Sequence, residues 1–426
     1  MTTAKFRGLL SALLVAAAFA GSALLPAPAA AQQKTLKFVP EADLRSLDPI
    51  WTTAYITRNH GYMVYDTLFS VNEKFEPQPQ MLEKYEKSAD GLTYTFALRS
   101  SVTFHNGRAL DSNDIVYSLN RVMDPATASP DVTHTAGIAS VENPDAATVV
   151  ITLHAPDASF LTRLARPGLS ALPKEEVEQY GDLQQTMVGT GPFVFQEYVP
   201  NTSLRFTKNE TYWESGKPYI DQLDLLIIPN DTSRTTALVT GTVDMIEAVP
   251  HKDVASLKEQ SQLKLAGERV TNLRWIAFNL EREPFNNLAF RKAIATALDR
   301  QPIIDTAVFG LGEPLLGLFP VEYWAGFHGD IPAADPEAAQ TALASIELPE
   351  GFKPKILTWA AYQFLQSTSV VVQEQLRQIG IESEIDAQEN ATYIDNFFSG
   401  NFDMAVMWAA GYVDSDEYLR SILGTG

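Results

Sequence analysis

The side chains with the clearest chemical potential in this chain are aromatic. It holds six Trp and fifteen Tyr, and several stand where an apolar, strand-like run gives way to a loop. Trp51 and Tyr55 follow the first such run, and Trp275 begins the run that ends in Asn279 and Leu280. Trp359 and Tyr362 follow Ile356 and Leu357, and Trp408 closes a run whose next loop holds Gly411 and Tyr412. Flat amphipathic rings at the carboxyl ends of strands bury a ligand while keeping a polar tip. The residues of covalent and metal chemistry show no comparable order. His60, His105, His134, His154, His251 and His328 are scattered, and no two share a helix face at i, i+3 or i, i+4. The chain has no G-x-S-x-G, H-E-x-x-H, Walker A or G-x-G-x-x-G stretch. Asp414 and Asp416 are near neighbours, but a glycosidase pair is defined by spatial separation rather than spacing. Gly189-Thr190-Gly191-Pro192 has no helix start after it, so it reads as a turn and not a phosphate cradle. The pattern is that of a binder, with no cofactor and no metal expected.

Charge and composition narrow the partners. The 426 residues carry 32 Lys and Arg against 52 Asp and Glu, a net charge of −20. That balance opposes a phosphate backbone and an anionic lipid surface alike, so nucleic acid is not an expected partner. With Cys at 0, disulfide scaffolds, zinc-thiolate sites, Fe–S clusters and Cys nucleophiles are excluded. Residues 1–31 carry Lys5 and Arg7, an apolar run over 9–20, and Ala29-Ala30-Ala31 before Gln32. This is the pattern of a cleaved export signal, with cleavage expected after Ala31. Losing it leaves 30 basic residues against 52 acidic, a net of −22. A periplasmic location follows.

The elements that must position the aromatic residues alternate between strand and helix. Strands are expected over 36–39, 94–98 and 148–153, and a hairpin over 193–198 and 203–207. The apolar run 223–228 reads as a strand buried on both faces. It is followed by a helix over 231–239 and a strand over 243–249, which implies a partly parallel sheet. Further strands are expected over 263–270, 273–280, 381–385 and 403–408. Helices are expected over 56–69, 111–123 with Asp111 as N-cap, 288–298, and 364–379 ended by Gly380. Asp335 and Pro336 mark another helix start. The fold class is mixed α/β with at least two segments of different character.

Several stretches together resemble one family. They are Asp66-Thr67-Leu68-Phe69, the run over 94–99 leading into 102–107, and 110–118 with its Leu-Asp-Ser-Asn-Asp-Ile start. Val188-Gly189-Thr190-Gly191-Pro192-Phe193 and Asn209-Glu210-Thr211-Tyr212-Trp213 continue the series. Phe278-Asn279-Leu280 and Arg291-Lys292-Ala293-Ile294-Ala295 with Asp299-Arg300 complete it. In this order they are similar to the family 5 extracellular solute-binding proteins of ABC importers, the dipeptide, oligopeptide and nickel type. The likeness runs from about Leu36 onward.

The resemblance implies a two-lobed, type II-like periplasmic binding protein with an extra α/β domain inserted in the first lobe. By chain order, residues 32–76 and 189–274 form the first lobe, 77–188 the inserted domain, and 275–426 the second lobe. Family members return to the first lobe at their end, so the second lobe is expected to be incomplete at Gly426. Peptide binders of the family place an aspartate three residues after the Trp matching Trp408, against the peptide's amino group. Gly411 stands there instead, and Asp414 becomes the candidate charged contact. No counterpart of the dipeptide-carboxylate Arg stands around 359–363, and the histidine of nickel-type members is not seen near Trp408. A dipeptide, a modified peptide, an opine-like or sugar-like solute and an aromatic compound all stay open. The expected action is closure of the lobes about a hinge near Arg274 and Trp275, delivering the solute to the membrane permease as a monomer. An exported hydrolase and a peptide-binding chaperone or sensor on the same scaffold are the alternatives.

Overall fold

A computed structural model describes residues 33–409 apart from 45, 182, 268–271 and 320–325. Residues 1–31, where an export signal is expected, and Trp324, Gly411, Tyr412, Asp414 and Asp416 lie outside the described residues. Three main sheets organise the rest, with strands numbered in chain order. β1 (Thr35–Val39) opens the chain, and β2 (Phe69–Val71) and β3 (Pro77–Pro79) form a small ribbon. β4 (Leu82–Lys87), β5 (Thr93–Leu98), β6 (Ile138–Asp145) and β7 (Thr148–Leu153) follow. Next come β8 (Phe193–Val199), β9 (Ser203–Lys208), β10 (Gln222–Leu226) and β11 (Met245–Ile246). β12 (Leu273–Phe278), β13 (Lys355–Trp359), β14 (Glu384–Gln388) and β15 (Met404–Ala409) complete the set.

The first lobe is built around a sheet of order β11-β1-β10-β9-β8. β1 runs parallel to both β10 and β11, pairing Leu36 with Leu223 and Phe38 with Met245. The strand at the start of the chain is thus completed by partners that arrive only after a long excursion. That excursion contains an antiparallel sheet of order β4-β5-β7-β6, covered by the helix Ser112–Met123. This helix begins as its residues dictate. Asp111 accepts from the Asn113 backbone N–H, and the Asp114 side chain reaches back to the N–H of Asp111 in a capping box. Ile115, Leu119 and Val122 recur at helical spacing and pack on Phe96, Val149 and Ile151 of the sheet. The second lobe holds a sheet of order β12-β15-β13-β14. β13 is parallel to β14 and β15, and β12 is antiparallel to β15. The helices Leu288–Ala297 and Gln363–Gln378 bury Phe290, Ile294, Val372 and Leu376 against Ile356 and Val406. Gly380, at φ 86°, ends the second of these by taking the left-handed conformation.

Several expected elements are revised. The helix expected over 56–69 spans Tyr55–Val64, and Phe69 starts a strand instead. Tyr65 turns extended while its N–H still closes on the Gly61 carbonyl at 2.8 Å. The next residue, Asp66, is held by side chains distant in sequence. The strand near 223–228 is shorter and buried on one face, because Leu223 and Leu225 point inward while their neighbours are half exposed. Only Met245 and Ile246 of 243–249 pair as a strand, and the described residues of 263–270 form none. The strand expected at 381–385 shifts to Glu384–Gln388, because Ile381 is drawn into the core beneath the preceding helix.

Candidate functional site

Strand direction decides where the aromatic residues meet. β13, β14 and β15 run the same way, so their carboxyl ends share one edge of the second-lobe sheet, and antiparallel β12 brings its first residues to that edge. Trp359 is the last residue of β13, and Tyr362 caps the helix Gln363–Gln378 just beyond it. Trp408 lies near the end of β15, directly across from Arg274 of β12.

These side chains form a connected cluster. Trp359 stacks on Tyr393 with centroids 4.9 Å apart at 20°, and meets Tyr362 edge-on at 4.9 Å. Tyr362 touches Trp408 at 5.3 Å, and Phe364 touches both Tyr362 at 5.5 Å and Trp408 at 5.9 Å. Edge and offset contacts of this kind hold rings rigidly. Trp359, Tyr362, Phe364 and Trp408 are only partly buried, so they pack on the core with one side and leave the other accessible. The indole N–H groups of Trp359 and Trp408 are enclosed and find no acceptor among the described residues.

The first lobe reaches this cluster through one loop. Beyond β11, His251 places its ring 6.3 Å from Phe364, edge to face. Arg274 sets its guanidinium carbon 4.1 Å from the centre of the same Phe364 ring. Burial and the nearby positive charge of Arg274 both hold the His251 pKa below its usual value. The same loop begins with Glu247, whose carboxylate accepts from the Tyr55 hydroxyl at 2.5 Å and from Asn59 at 3.2 Å. Its other oxygen accepts from the Glu41 backbone N–H. Burial first, then the Glu247 charge, push the Glu41 carboxyl above its ordinary range. Burial and the bond to Glu247 push the Tyr55 hydroxyl up to about 12.

The aromatic residues singled out from sequence therefore fall into separate places. Trp359, Tyr362 and Trp408 come together. Tyr55 sits on the first lobe beside Glu41 and Glu247. Trp51 is 36% exposed and lies against Arg121 of the inserted domain at 5.7 Å. Trp275 faces away from Arg274 and packs with Leu273, Leu315 and Leu318. Sequence reasoning missed Phe364, Tyr393, His251 and Arg274. A signal existed for Arg274, since it is the charged residue in the otherwise apolar strand Leu273–Phe278. Two hollows lie elsewhere. One of about 10 Å³ is lined by Thr52, Arg58 and Gly168, and one of about 230 Å³ by Leu298, Asp299, Arg300 and Pro332. The first is too small for a solute, and neither carries an aromatic ring. Among the described residues no three His, Asp or Glu group as a metal site, and no helix is long and apolar enough to cross a membrane.

Comparison with known proteins agrees with this architecture. Residues 76–426 match the family described as Bacterial extracellular solute-binding proteins, family 5 Middle. Heme-binding protein A of Haemophilus influenzae is 29% identical, with 82% of this chain and 69% of that protein covered. The structure of a dipeptide-binding protein from Pseudoalteromonas in complex with Met-Leu superposes with a TM-score of 0.82 at 26% identity, covering 90% of this chain and 82% of the other. That of AgaA from A. tumefaciens in complex with agropinic acid gives 0.77 at 30% identity, over 91% and 79%.

Proposed function

Because the chain belongs to the family 5 extracellular solute-binding proteins of bacteria, we propose that it is the periplasmic capture component of an ABC importer. It takes up a peptide or another small solute between its lobes and hands it, unaltered, to the membrane permease. The observation that carries this reading is the aromatic edge of the second-lobe sheet. There Trp359, Tyr362, Phe364 and Trp408 present half-buried rings, and a first-lobe residue, His251, already touches them. Names of relatives support the substrate breadth, since they include heme, Met-Leu and agropinic acid binders.

The lobes proposed are residues 32–76 with 189–274, and 275–426, with 77–188 inserted in the first, save that Leu273 and Arg274 pair with Ala409 and Trp408 and so go with the second lobe. The crossing just before them suits a hinge there. A solute shifts such a hinge only by binding the closed form better than the open one. Export through the segment 1–31, a monomeric state and the lack of enzymatic turnover belong to the same reading. Glu41, Glu247 and Tyr55 supply a polar first-lobe wall, and Asp414, six residues after Trp408 in sequence, remains the proposed charged contact.

Trp408→Ala tests the site. With Met-Leu and reduced glutathione as first probes, it should weaken binding by about 30-fold or more and abolish the ligand-induced change in Trp fluorescence. Unchanged affinity and fluorescence would remove Trp408 from the site. A mass-spectrometric time course should return each probe chemically intact.

A further inference from the structure

Arg274 differs from the arginines that tie segments of this chain together. Arg121, Arg163, Arg166, Arg234 and Arg282 each reach a carboxylate, with Arg121 on Asp48 and Arg282 on Asp403 as examples. Arg274 reaches none among the described residues, and its five N–H donors find no acceptor there. Among the described residues its close partner is the Phe364 ring. The side chain is accessible to solvent, yet surrounding protein atoms lower its pKa to about 10 by desolvation alone. It stands where His251 meets the aromatic edge of the second-lobe sheet.

A partly desolvated cation whose donors meet no acceptor gains from an anion placed against it. His251 cannot be the pair, because it titrates toward the neutral form and carries no negative charge. The Phe364 ring attracts the guanidinium through its electron-rich face and holds it in place, but leaves the hydrogen-bonding capacity unused. A planar fork of donors is shaped for a carboxylate, which accepts two parallel N–H bonds.

Resting on the solute-binding reading above, we infer that Arg274 is the anchor for a carboxylate on the solute, so that the protein selects carboxylate-bearing molecules. The acid group sits against the guanidinium, and the apolar part of the solute extends over Phe364 and Trp408. Release of the cation's desolvation penalty on binding makes the acid form of a solute bind much better than its neutral amide or ester.

The test uses acid and neutral partners in thermal-shift and calorimetric titrations of the exported protein. The pairs are Met-Leu with Met-Leu amide, reduced glutathione with its diethyl ester, and succinate with succinamide. At least one acid should bind 10- to 100-fold more tightly than its neutral partner. Arg274→Gln should erase that preference, and Arg274→Lys should keep part of it. The unliganded Arg274→Gln protein should melt within about 3 °C of the wild type, because the side chain loses only its contact with the Phe364 ring. A larger drop without ligand marks a structural role and overturns the inference. Acid and neutral forms binding equally, or Arg274→Gln keeping the preference, also overturns it while leaving the solute-binding reading intact. If no member of any pair binds the wild type, both readings fail.

Discussion

Asp66 offers a quantitative test of how the first lobe is held together. Its carboxylate is 1% exposed and receives Gln80 Nε2 at 2.8 Å, Trp213 Nε1 at 3.0 Å, Thr190 Oγ1 at 3.1 Å and the Tyr212 hydroxyl at 3.2 Å. Among the described residues no cation joins it, so desolvation outweighs these bonds and its pKa rises from 3.8 to about 6. The folded state thus holds this proton more tightly than the unfolded chain does. The corresponding stability is fully present below pH 3.8 and is lost as the pH rises through about 6, a change of about 3 kcal/mol. Buried His60, lowered to about 4, has the opposite slope over an overlapping window, so the wild-type profile alone does not isolate Asp66. The difference between wild type and Asp66→Asn does, because His60 is common to both. At pH 4 the wild-type group is the neutral acid, whose two oxygens can both accept from the four surrounding donors, whereas the amide turns an N–H₂ toward them, so the variant should be less stable there. That deficit should shrink by about 2.4 kcal/mol between pH 4 and pH 7, the rest of the change lying below pH 4. Urea denaturation at pH 4, 5, 6 and 7 reads the difference. A difference that stays constant across the range would refute the raised pKa and the claim that burial dominates at Asp66.

Two further predictions concern joints between segments. A Cβ on Gly189 would lie 2.1 Å from the Val64 carbonyl oxygen, so Gly189→Ala should cost about 1–3 kcal/mol, or block folding, as read by the urea midpoint. Arg121 donates to fully buried Asp48 at 2.8 Å and joins the inserted domain to the first lobe. Arg121→Met strands that carboxylate and should cost about 3–5 kcal/mol, whereas replacing both partners by apolar residues should recover much of it.

Regular, locally encoded features were legible. The helix Ser112–Met123 carries its cap and its apolar stripe within its own residues, and the hairpin of β8 and β9 carries its turn at Pro200 and Asn201. The helix over 56–69 was overextended because nothing local says that Asp66 will be claimed by Trp213, Tyr212 and Thr190. In the site, Trp359, Tyr362 and Trp408 were visible as aromatic residues at strand ends. Trp275 shared that signature yet turned to the opposite face of β12, since neighbouring residues on a strand point to opposite sides. Phe364 looked like one more apolar position on a helix, and its role appears only once Arg274 and His251 converge on it.

By itself the sequence determined composition, charge, the missing cysteine chemistry, most element positions and the family, because each is encoded within a short span or in an ordered set of such spans. Tertiary structure decided which side of each strand faces the cleft, which motifs gather around Asp66, and that Arg274 lies over Phe364. Those outcomes depend on register and strand direction between segments as far apart as Leu36 and Leu223. Pairing of that kind is set by the competition among all possible partners for burial and hydrogen bonds, and no local stretch carries that information.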